Sequence, residues 1–207
     1  MHVEHKFTVI NIREYLAKSE SLQEQKLREE QLQRILSEFS CEINPDVEGF
    51  LKEQSIEFAN KHQSVSYLVF PSDDTRLLGY FTITIKPITV NADVFSNTTK
   101  KKLSRVSSFN DRDHTYSLAA FLIAQLGKNY ALEPEERISG EDLLGLSISV
   151  VKQIQYQAGG TVVFLEANDD DKLLNFYRNN RFQPFDKRIV EQKNRHQHEL
   201  IQLLRLL

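Results

Sequence analysis

The sequence predicts a mixed α/β fold, in the α+β class, whose helices flank a mostly antiparallel, twisted sheet. Apolar β-rich runs and amphipathic helices follow the order strand, two helices, hairpin, strand, helix, strand, helix and closing strands. The hairpin implies antiparallel pairing, and the strand–helix–strand segment implies one crossover connection. The chain has 207 residues, of which 40% are apolar, so it can bury a core. We expect a single domain over residues 1–207.

The N-terminal part predicts a strand followed by a charged helix. Residues 7–12 alternate loosely between apolar and polar, as a strand does. Ser21 with Glu24 forms a capping-box pattern that opens a helix ending near Phe39. The second half of this helix has an apolar face, formed by Leu32, Ile35, Leu36 and Phe39. We interpret residues 19–39 as an added N-terminal helix that docks on the domain; the alternative is a helix that binds a partner or a second copy in a homodimer.

A second helix and a hairpin follow. Asn44-Pro45-Asp46 combines a cap residue, a proline for the first helical position and an acid for the first turn. Residues 65–70 and 77–85 are β-rich and flank a turn at 71–75, which predicts a hairpin. Gly79 inside the second strand indicates a bulge or a close backbone approach.

Residues 91–116 are polar and rich in Ser, Asn and Lys. Lys100, Lys101, Lys102 and Arg105 form a basic cluster in this segment. A solvated loop or short surface helix is the ordinary interpretation of such a cluster. The alternative is a lip that contacts the acceptor substrate.

Apolar patterns with clear start and stop residues predict the next strand and helix. Residues 117–127 form a buried strand pattern that stops at Gly127, and residues 128–137 form a polar loop. Ser139 caps a long helix that ends at Gly159-Gly160. The apolar positions of this helix include Leu143, Leu144, Val151 and Ile154.

The segment 161–182 reads TVVFLEANDDDKLLNFYRNNRF. An apolar strand meets an acidic turn, and a short helix then ends in Phe176-Tyr177, followed by Phe182. Residues 185–190 and 198–206 predict two closing strands around a polar turn. If the turn after the helix is left-handed, Arg181 would cost about 1 kcal/mol there, so we expect Asn180 to take that conformation.

Charge and composition exclude several classes. The net charge of −3 disfavours a nucleic-acid binder by overall charge, although a local patch remains compatible. Cys41 is the single cysteine, which fits a reducing cytoplasm and a packing role better than a catalytic one. No run predicts a membrane span or signal peptide, so we expect a cytoplasmic protein without a membrane partner. His196 and His198 lack a third ligand, so no metal site is predicted.

The strand, acidic turn, short helix, Phe176-Tyr177 and Phe182 resemble the later cofactor-binding motif of the GNAT-type N-acetyltransferases. Upstream, residues 39–51, Tyr67-Leu68-Val69 and residues 78–82 look like the branch that contains acetyltransferase toxins of toxin–antitoxin pairs. The resemblance covers residues 39–182. It implies a GNAT-like domain that uses acetyl-coenzyme A (acetyl-CoA) as co-substrate.

The resemblance also implies which residues bind the coenzyme. The end of the strand at Gly127 would pair with the pantetheine arm, and the helix start after Arg137 would bind the pyrophosphate through its amides. Glu135 and Ile138 depart from the family's Gln/Arg and first glycine, while Gly140 matches the last small position. The implied coenzyme-binding residues are Leu126, Gly127, Lys128, Arg137, Ile138, Ser139, Gly140, Glu141, Asp142, Asn168, Asp170 and Tyr177.

Two residues are candidates for catalysis. By resemblance, Tyr177 directs its hydroxyl at the coenzyme sulfur, and a phenol can protonate a departing thiolate. The alternative is that Tyr177 is an ordinary core residue at helical spacing from Leu173. Glu166, at the end of its strand, is the candidate base that takes the proton of the attacking amine.

The sequence therefore predicts an acyltransferase that moves acetyl from acetyl-CoA to a primary amine. A toxin-like enzyme that acts on aminoacyl-tRNA is one alternative, which the net negative charge does not favour. The other alternative is a GNAT-shaped protein with weak or no catalysis that acts through a protein partner.

Overall fold

The computed structural model describes residues 6–19, 21–191 and 197–207. Contacts between Cα atoms divide the chain into two compact units. Unit 1 contains residues 1–84 and 124–149, and unit 2 contains residues 85–123 and 150–207. The prediction of one domain over residues 1–207 stays a prediction.

Unit 1 contains the N-terminal helices and an antiparallel strand meander. Its elements are β1 (Phe7–Asn11), α1 (Ile12–Leu16), α2 (Leu22–Ser37), α3 (Pro45–Gly49), a π-helical segment (Phe50–Gln54), α4 (Ser55–Asn60), β2 (Val65–Pro71) and the first part of β3 (Gly79–Asn91). Strand β2 pairs antiparallel with both β1 and β3. The unit also holds the end of β5 (Thr115–Lys128), a 3₁₀ turn (Pro134–Glu136) and the start of α6 (Gly140–Ala158).

The core of unit 1 confirms the predicted apolar face of α2. Leu32, Leu36 and Phe39 are buried beside Ile12, Leu51, Leu68 and Tyr80. Cys41 belongs to the same cluster, and burial raises the pKa of its thiol. Cys41 is therefore a packing residue, as predicted.

The helix predicted from Asn44 is interrupted by the π-helical segment. Such segments are rare and occur mostly as single turns inside α-helices. Two buried hydroxyls donate to carbonyls in and just before the segment: the Tyr80 hydroxyl donates to Val47 O at 2.6 Å, and Ser55 Oγ donates to Leu51 O at 2.5 Å. The apolar periodicity of the sequence predicted a regular helix here and did not indicate the irregularity.

Unit 2 contains the remaining strands and the short helices. Its elements are the second parts of β3 and α6, a 3₁₀ turn (Ala92–Val94), α5 (Asn97–Leu103), β4 (Ser108–Asn110), most of β5, β6 (Val162–Asn168), α7 (Asp171–Asn179), β7 (Gln183–Glu191) and β8 (Gln197–Leu206). Strand β6 pairs parallel with β5 and antiparallel with β8, and β8 pairs antiparallel with β7. The parallel pair is the predicted crossover.

One face of the unit 2 sheet packs on the segment 88–103. Val162, Phe164 and Leu204 lie in a buried cluster with Phe95 and Leu103. Phe95 and Leu103 belong to the polar segment 91–116, for which a solvated loop or short surface helix is the ordinary interpretation, so that segment supplies part of this core. Strand β3 also extends to Asn91, beyond its predicted end near residue 85, because Val90 is buried in the same cluster.

The predicted fold class is confirmed. Hydrogen bonding orders the strands β1-β2-β3-β5-β6-β8-β7, with β4 beside β5, and the sheet is mixed with mostly antiparallel pairs. The predicted close approach at Gly79 is also confirmed, because a Cβ there would lie 2.6 Å from Gly127 O. The predicted left-handed Asn180 is wrong: Asn180 has φ −90°, and Arg181 takes the left-handed conformation with φ 67°.

Candidate functional site

The end of β5 is held tightly inside unit 1. A Cβ at Gly127 would lie 2.5 Å from Val47 Cγ1 and 3.2 Å from Tyr80 Cε1. Only glycine fits there without displacing these side chains. Leu126 and Lys128, on either side, are half-buried, and the Lys128 ammonium lies 5.6 Å from the centroid of the Tyr130 ring.

The side chain of Asn129 holds the loop after β5 in place. Asn129 was not among the residues predicted from the sequence. Its side chain is buried and donates to Leu77 O at 2.9 Å, while its Oδ1 accepts from Ser40 N at 3.0 Å and Ala131 N at 3.1 Å. A buried amide with this many partners rigidifies the loop. Its position directly after a buried strand was the only signal in the sequence.

Arg137 holds the other end of the same loop. Its Nε donates to Leu132 O at 2.8 Å, its Nη2 donates to Tyr130 O at 3.1 Å, and its guanidinium lies 5.0 Å from the centroid of the Tyr130 ring. These contacts shape the loop that leads to α6. A role of Arg137 in coenzyme binding stays a prediction.

The start of α6 combines free amides with acidic side chains. Ser139 Oγ accepts from Asp142 N at 3.0 Å and donates to Asp142 Oδ2 at 2.8 Å. Within the described part of the chain, the amides of Gly140 and Glu141 have no acceptor, as expected for a first helical turn. The backbone can therefore bind an anion, although the carboxylates of Glu141 and Asp142 oppose one electrostatically. Ile138 is buried.

The start of α7 in unit 2 is capped by an acid. Asp170 accepts from Leu173 N at 2.8 Å and has the extended backbone of a cap residue. The backbone amide of Asp170 donates to Asn168 O at 2.8 Å. These bonds position the predicted coenzyme-binding residues Asn168 and Asp170 at the junction of β6 and α7.

Tyr177 has a buried ring and an accessible hydroxyl. The residue is 8% exposed, and its ring packs edge-on against Phe176 and Phe182 at centroid distances of 5.2 and 5.9 Å. Its hydroxyl makes no hydrogen bond to the described residues, yet it is not one of the solvent-inaccessible unpaired atoms. Burial raises the pKa of Tyr177 to about 12. The hydroxyl is therefore a protonated donor at neutral pH that remains available to an external acceptor.

The chain turn after α7 fixes the position of that ring. Phe182 N donates to Tyr177 O at 3.0 Å, and Arg181 N donates to Arg178 O at 2.9 Å. This pair of bonds, with a left-handed residue between the helix and Phe182, is a Schellman motif. The motif brings the Phe182 ring against Tyr177, although Arg181 stands where glycine is preferred.

Glu166 is engaged by neighbouring strands. It accepts from Arg188 Nη1 at 2.9 Å and from Gln202 Nε2 at 2.7 Å, so it links β6, β7 and β8. Because side chains alternate along a strand, Glu166 shares a face with Phe164, whose buried cluster contains no residue of α7. Through these contacts Glu166 holds three neighbouring strands together. The role of Glu166 as a base stays a prediction. No pattern in the sequence pointed to Arg188 as its partner.

The basic cluster lies on and just after α5. Lys101, Lys102 and Arg105 are exposed and have no ion pair among the described residues, whereas Lys100 lies 3.9 Å from Asp93. The aromatic ring of Phe109 is 41% exposed on the following strand and packs against Tyr116. The basic residues offer positive charge to a ligand, and Phe109 separately offers a partly exposed aromatic ring.

Metal and membrane features are absent from the described residues. No group of three His, Cys, Asp or Glu side chains is placed to hold a metal ion. None of the described helices has the length and apolar character needed to cross a bilayer. His196 lies outside the described residues.

No protein-family model matches the sequence, and no curated protein matches it. Solved structures do match its fold. AtaT complexed with acetyl-methionyl-tRNAfMet has a TM-score of 0.59 at 16% identity, with 94% of this chain and 93% of that chain covered. A Tyr-to-Phe mutant of KacT has a TM-score of 0.59 at 18% identity, with 95% and 94% covered.

A third similar structure is an AtaT mutant toxin bound to acetyl-CoA and the C-terminus of the antitoxin AtaR. It has a TM-score of 0.55 at 15% identity, with 98% of this chain and 94% of that chain covered. At these identities the likeness establishes the fold. The chain has the GNAT fold of these toxins, and the resemblance seen in the sequence is confirmed at that level.

Proposed function

We propose that this protein is an N-acetyltransferase that moves an acetyl group from acetyl-CoA to a primary amine. The observation that carries the proposal is Tyr177, whose buried ring presents a protonated, unpaired hydroxyl to solvent contact. A buried tyrosine usually pairs its hydroxyl with a hydrogen-bond partner inside the protein, so an open hydroxyl here favours a role toward a ligand. The GNAT fold and the structure of AtaT bound to acetyl-CoA support the choice of donor.

In this proposal the amine attacks the thioester carbonyl directly. The C–N bond forms, the C–S bond breaks, and the coenzyme sulfur leaves with the electron pair. The Tyr177 hydroxyl donates its proton to that sulfur, and the proton that the amine loses passes to solvent water, from which Tyr177 regains its own. With a pKa of about 12, Tyr177 transfers the proton only as thiolate charge develops, and before that it acts as a hydrogen-bond donor.

Binding of the coenzyme phosphates is assigned to the start of α6. The amides of Gly140 and Glu141 supply donors, and the helix supplies a partial positive charge. The side chains of Glu141 and Asp142 reduce this attraction, so we expect a modest affinity. The end of β5, at Leu126 and Lys128, offers backbone groups to the pantetheine arm.

The test is Tyr177→Phe, which keeps the ring and removes the proton donor. Turnover should fall roughly 10²-fold or more, while coenzyme affinity barely changes. Acetylation is followed with radiolabelled acetyl-CoA, and affinity is measured by calorimetry. The control is Phe176→Leu, which alters ring packing beside Tyr177 without removing a donor. A Tyr177→Phe enzyme with the full rate would end the catalytic assignment.

The acceptor has a second candidate, the amino group of an aminoacyl-tRNA. The exposed Lys101, Lys102 and Arg105 favour it, because unpaired basic residues can contact phosphates despite the net charge of −3. The AtaT complex with acetyl-methionyl-tRNAfMet points in the same direction. A screen that compares small amines, peptides and aminoacyl-tRNA as acceptors decides between the classes.

A protein that acts only through a partner is the remaining alternative. The acids at the start of α6 favour it, and the similar structure of AtaT contains its antitoxin. Such a protein would bind acetyl-CoA weakly or not at all. Calorimetry with acetyl-CoA therefore separates this alternative from the enzyme.

A further inference from the structure

Two arginines that form no ion pair with the described residues lie where α7 ends in unit 2. Arg205 is near the end of β8, directly opposite Val163 of β6. Arg181 follows the last turn of α7. We propose that Arg181 and Arg205 together bind a phosphate group of a ligand. The proposal is independent of the acetyltransferase function.

Arg205 has more donors than the structure satisfies. Its Nη1 donates to Asn180 O at 3.2 Å, which caps the C-terminus of α7. Its Nε is buried and has no hydrogen-bond partner. An arginine carries five N–H donors in a fixed planar fork, and a buried donor without an acceptor destabilises the fold. Capping the helix therefore accounts for one donor. The buried Nε is closed to solvent and to a ligand, so the donors that an anion can reach are the remaining N–H groups of Nη1 and Nη2.

Arg181 is an unexpected residue for its position. It occupies the left-handed site of the Schellman motif with φ 67°, where glycine would avoid the steric cost of a side chain. Its exposed side chain forms no ion pair with the described residues. Strained residues of this kind cluster at ligand-binding positions, so a role for the guanidinium offers a reason for arginine here.

The two positive charges act on each other. Arg205 donates to the carbonyl of the residue immediately before Arg181. Burial lowers the pKa of Arg205, and the charge of Arg181 lowers it further. Two like charges held together without an anion destabilise the fold, whereas a bound dianion would reverse the sign of that interaction.

A phosphate fits this pair better than a single carboxylate does. Its two negative charges match two guanidiniums, and its tetrahedral oxygens accept the paired N–H groups that an arginine fork presents. The C-terminus of α7 carries partial negative charge, which opposes an anion. The bond from Arg205 to Asn180 O offsets that charge where the two groups meet.

The experiment measures the thermal stability of the full chain with increasing inorganic phosphate, at an ionic strength held constant with chloride. The variants are Arg205→Gln and Arg181→Gly. The matched control is Arg178→Gln, which removes an exposed arginine of α7 that donates to Asn175. Parallel titrations with sulfate and acetate separate a tetrahedral oxyanion from a carboxylate.

We expect phosphate to raise the melting temperature of the wild type and of Arg178→Gln. In Arg181→Gly and Arg205→Gln, the apparent dissociation constant for phosphate should rise at least about tenfold, because each variant loses one charge-assisted hydrogen bond. Arg181→Gly keeps the assay valid if Arg205→Gln does not fold, because glycine suits the left-handed position. Equal phosphate responses in all four proteins, or a larger response to acetate, would overturn the proposal.

Discussion

At the scale of single residues, burial raises the pKa of Tyr177 and keeps its hydroxyl protonated. Its ring is packed between Phe176 and Phe182, so the phenolate would lose solvation and the pKa rises to about 12. The folded state therefore holds the phenol proton more tightly than the unfolded chain, whose tyrosine has a pKa of about 10. The hydroxyl stays protonated over the whole range in which the enzyme would work.

Because the pKa of Tyr177 is higher in the folded state than in the unfolded chain, we predict a loss of stability at high pH. The contribution of the protonated Tyr177 to the free energy of unfolding is fully present below pH 10. It is lost as the pH rises from about 10 to about 12. The wild type should lose about 1.4 kcal/mol per pH unit relative to Tyr177→Phe in that window. Urea unfolding of both proteins at pH 8 and pH 10.5 measures it. Parallel pH dependence of the two proteins would show that the ring environment is not what we describe.

Gly127 is required by its neighbours and not by its backbone conformation. We predict that Gly127→Ala destabilises the protein by about 1–3 kcal/mol, because the new Cβ meets Val47 and Tyr80. Gly145→Ala is the matched control on α6, where no atom lies within 4 Å of the added Cβ. That variant should gain about 0.5–1 kcal/mol. Denaturant unfolding gives both values, and a neutral Gly127→Ala would contradict the packing.

At the scale of elements, the start of α6 combines amide donors with acidic side chains. Ser139 caps the helix through Asp142, and the following amides remain open. We predict that Gly140→Asp weakens acetyl-CoA binding at least about tenfold without unfolding the protein, since it adds a negative charge to the helix start that we propose binds the phosphates.

Calorimetry measures that change, with Gly145→Asp as the control. Gly145 lies on the same helix and is exposed, so this variant carries the same added charge farther from the open amides. Its affinity should stay close to that of the wild type. If both variants bind acetyl-CoA as tightly as the wild type, the phosphates lie elsewhere.

Hydrogen bonds cap both ends of α7, the second feature at the element scale. Asp170 caps its start, and the Schellman motif ends it beside Phe182. The helix is only nine residues long, so its caps and its packing on β6 must supply most of its stability. These caps hold Tyr177 in place without any contact to its hydroxyl.

At the scale of the whole molecule, acetyl-CoA should stabilise the fold. A ligand that binds only the native state raises its stability by mass action, by about 2.7 kcal/mol at a hundredfold excess over the dissociation constant. We predict a rise in melting temperature at millimolar acetyl-CoA, measured by scanning calorimetry. Desulfo-coenzyme A, which lacks the thioester, should also stabilise the protein. No shift with either ligand would favour the partner-binding alternative.

The sequence did not show α1, the π-helical segment or β4. By itself it determined the order of the longer elements, the mixed sheet and the approximate ends of α2 and α6. Those features depend on local periodicity, cap residues and glycines, all of which lie within a few neighbouring positions. The burial of Leu32, Leu36 and Phe39 followed from helical spacing alone. The α6 boundaries followed from Ser139 and Gly159, whose φ of 79° ends the helix as predicted.

Only the tertiary structure decided how individual polar groups are used. Glu166 binds Arg188 and Gln202, Asn129 bonds residues about 90 and 50 positions away, and the Tyr80 hydroxyl bonds Val47 O. Arg181, and not Asn180, took the left-handed position, because the Schellman bonds to Tyr177 and Arg178 set the turn. Such pairings join residues far apart in sequence, and no local pattern encodes which distant donor meets which acceptor.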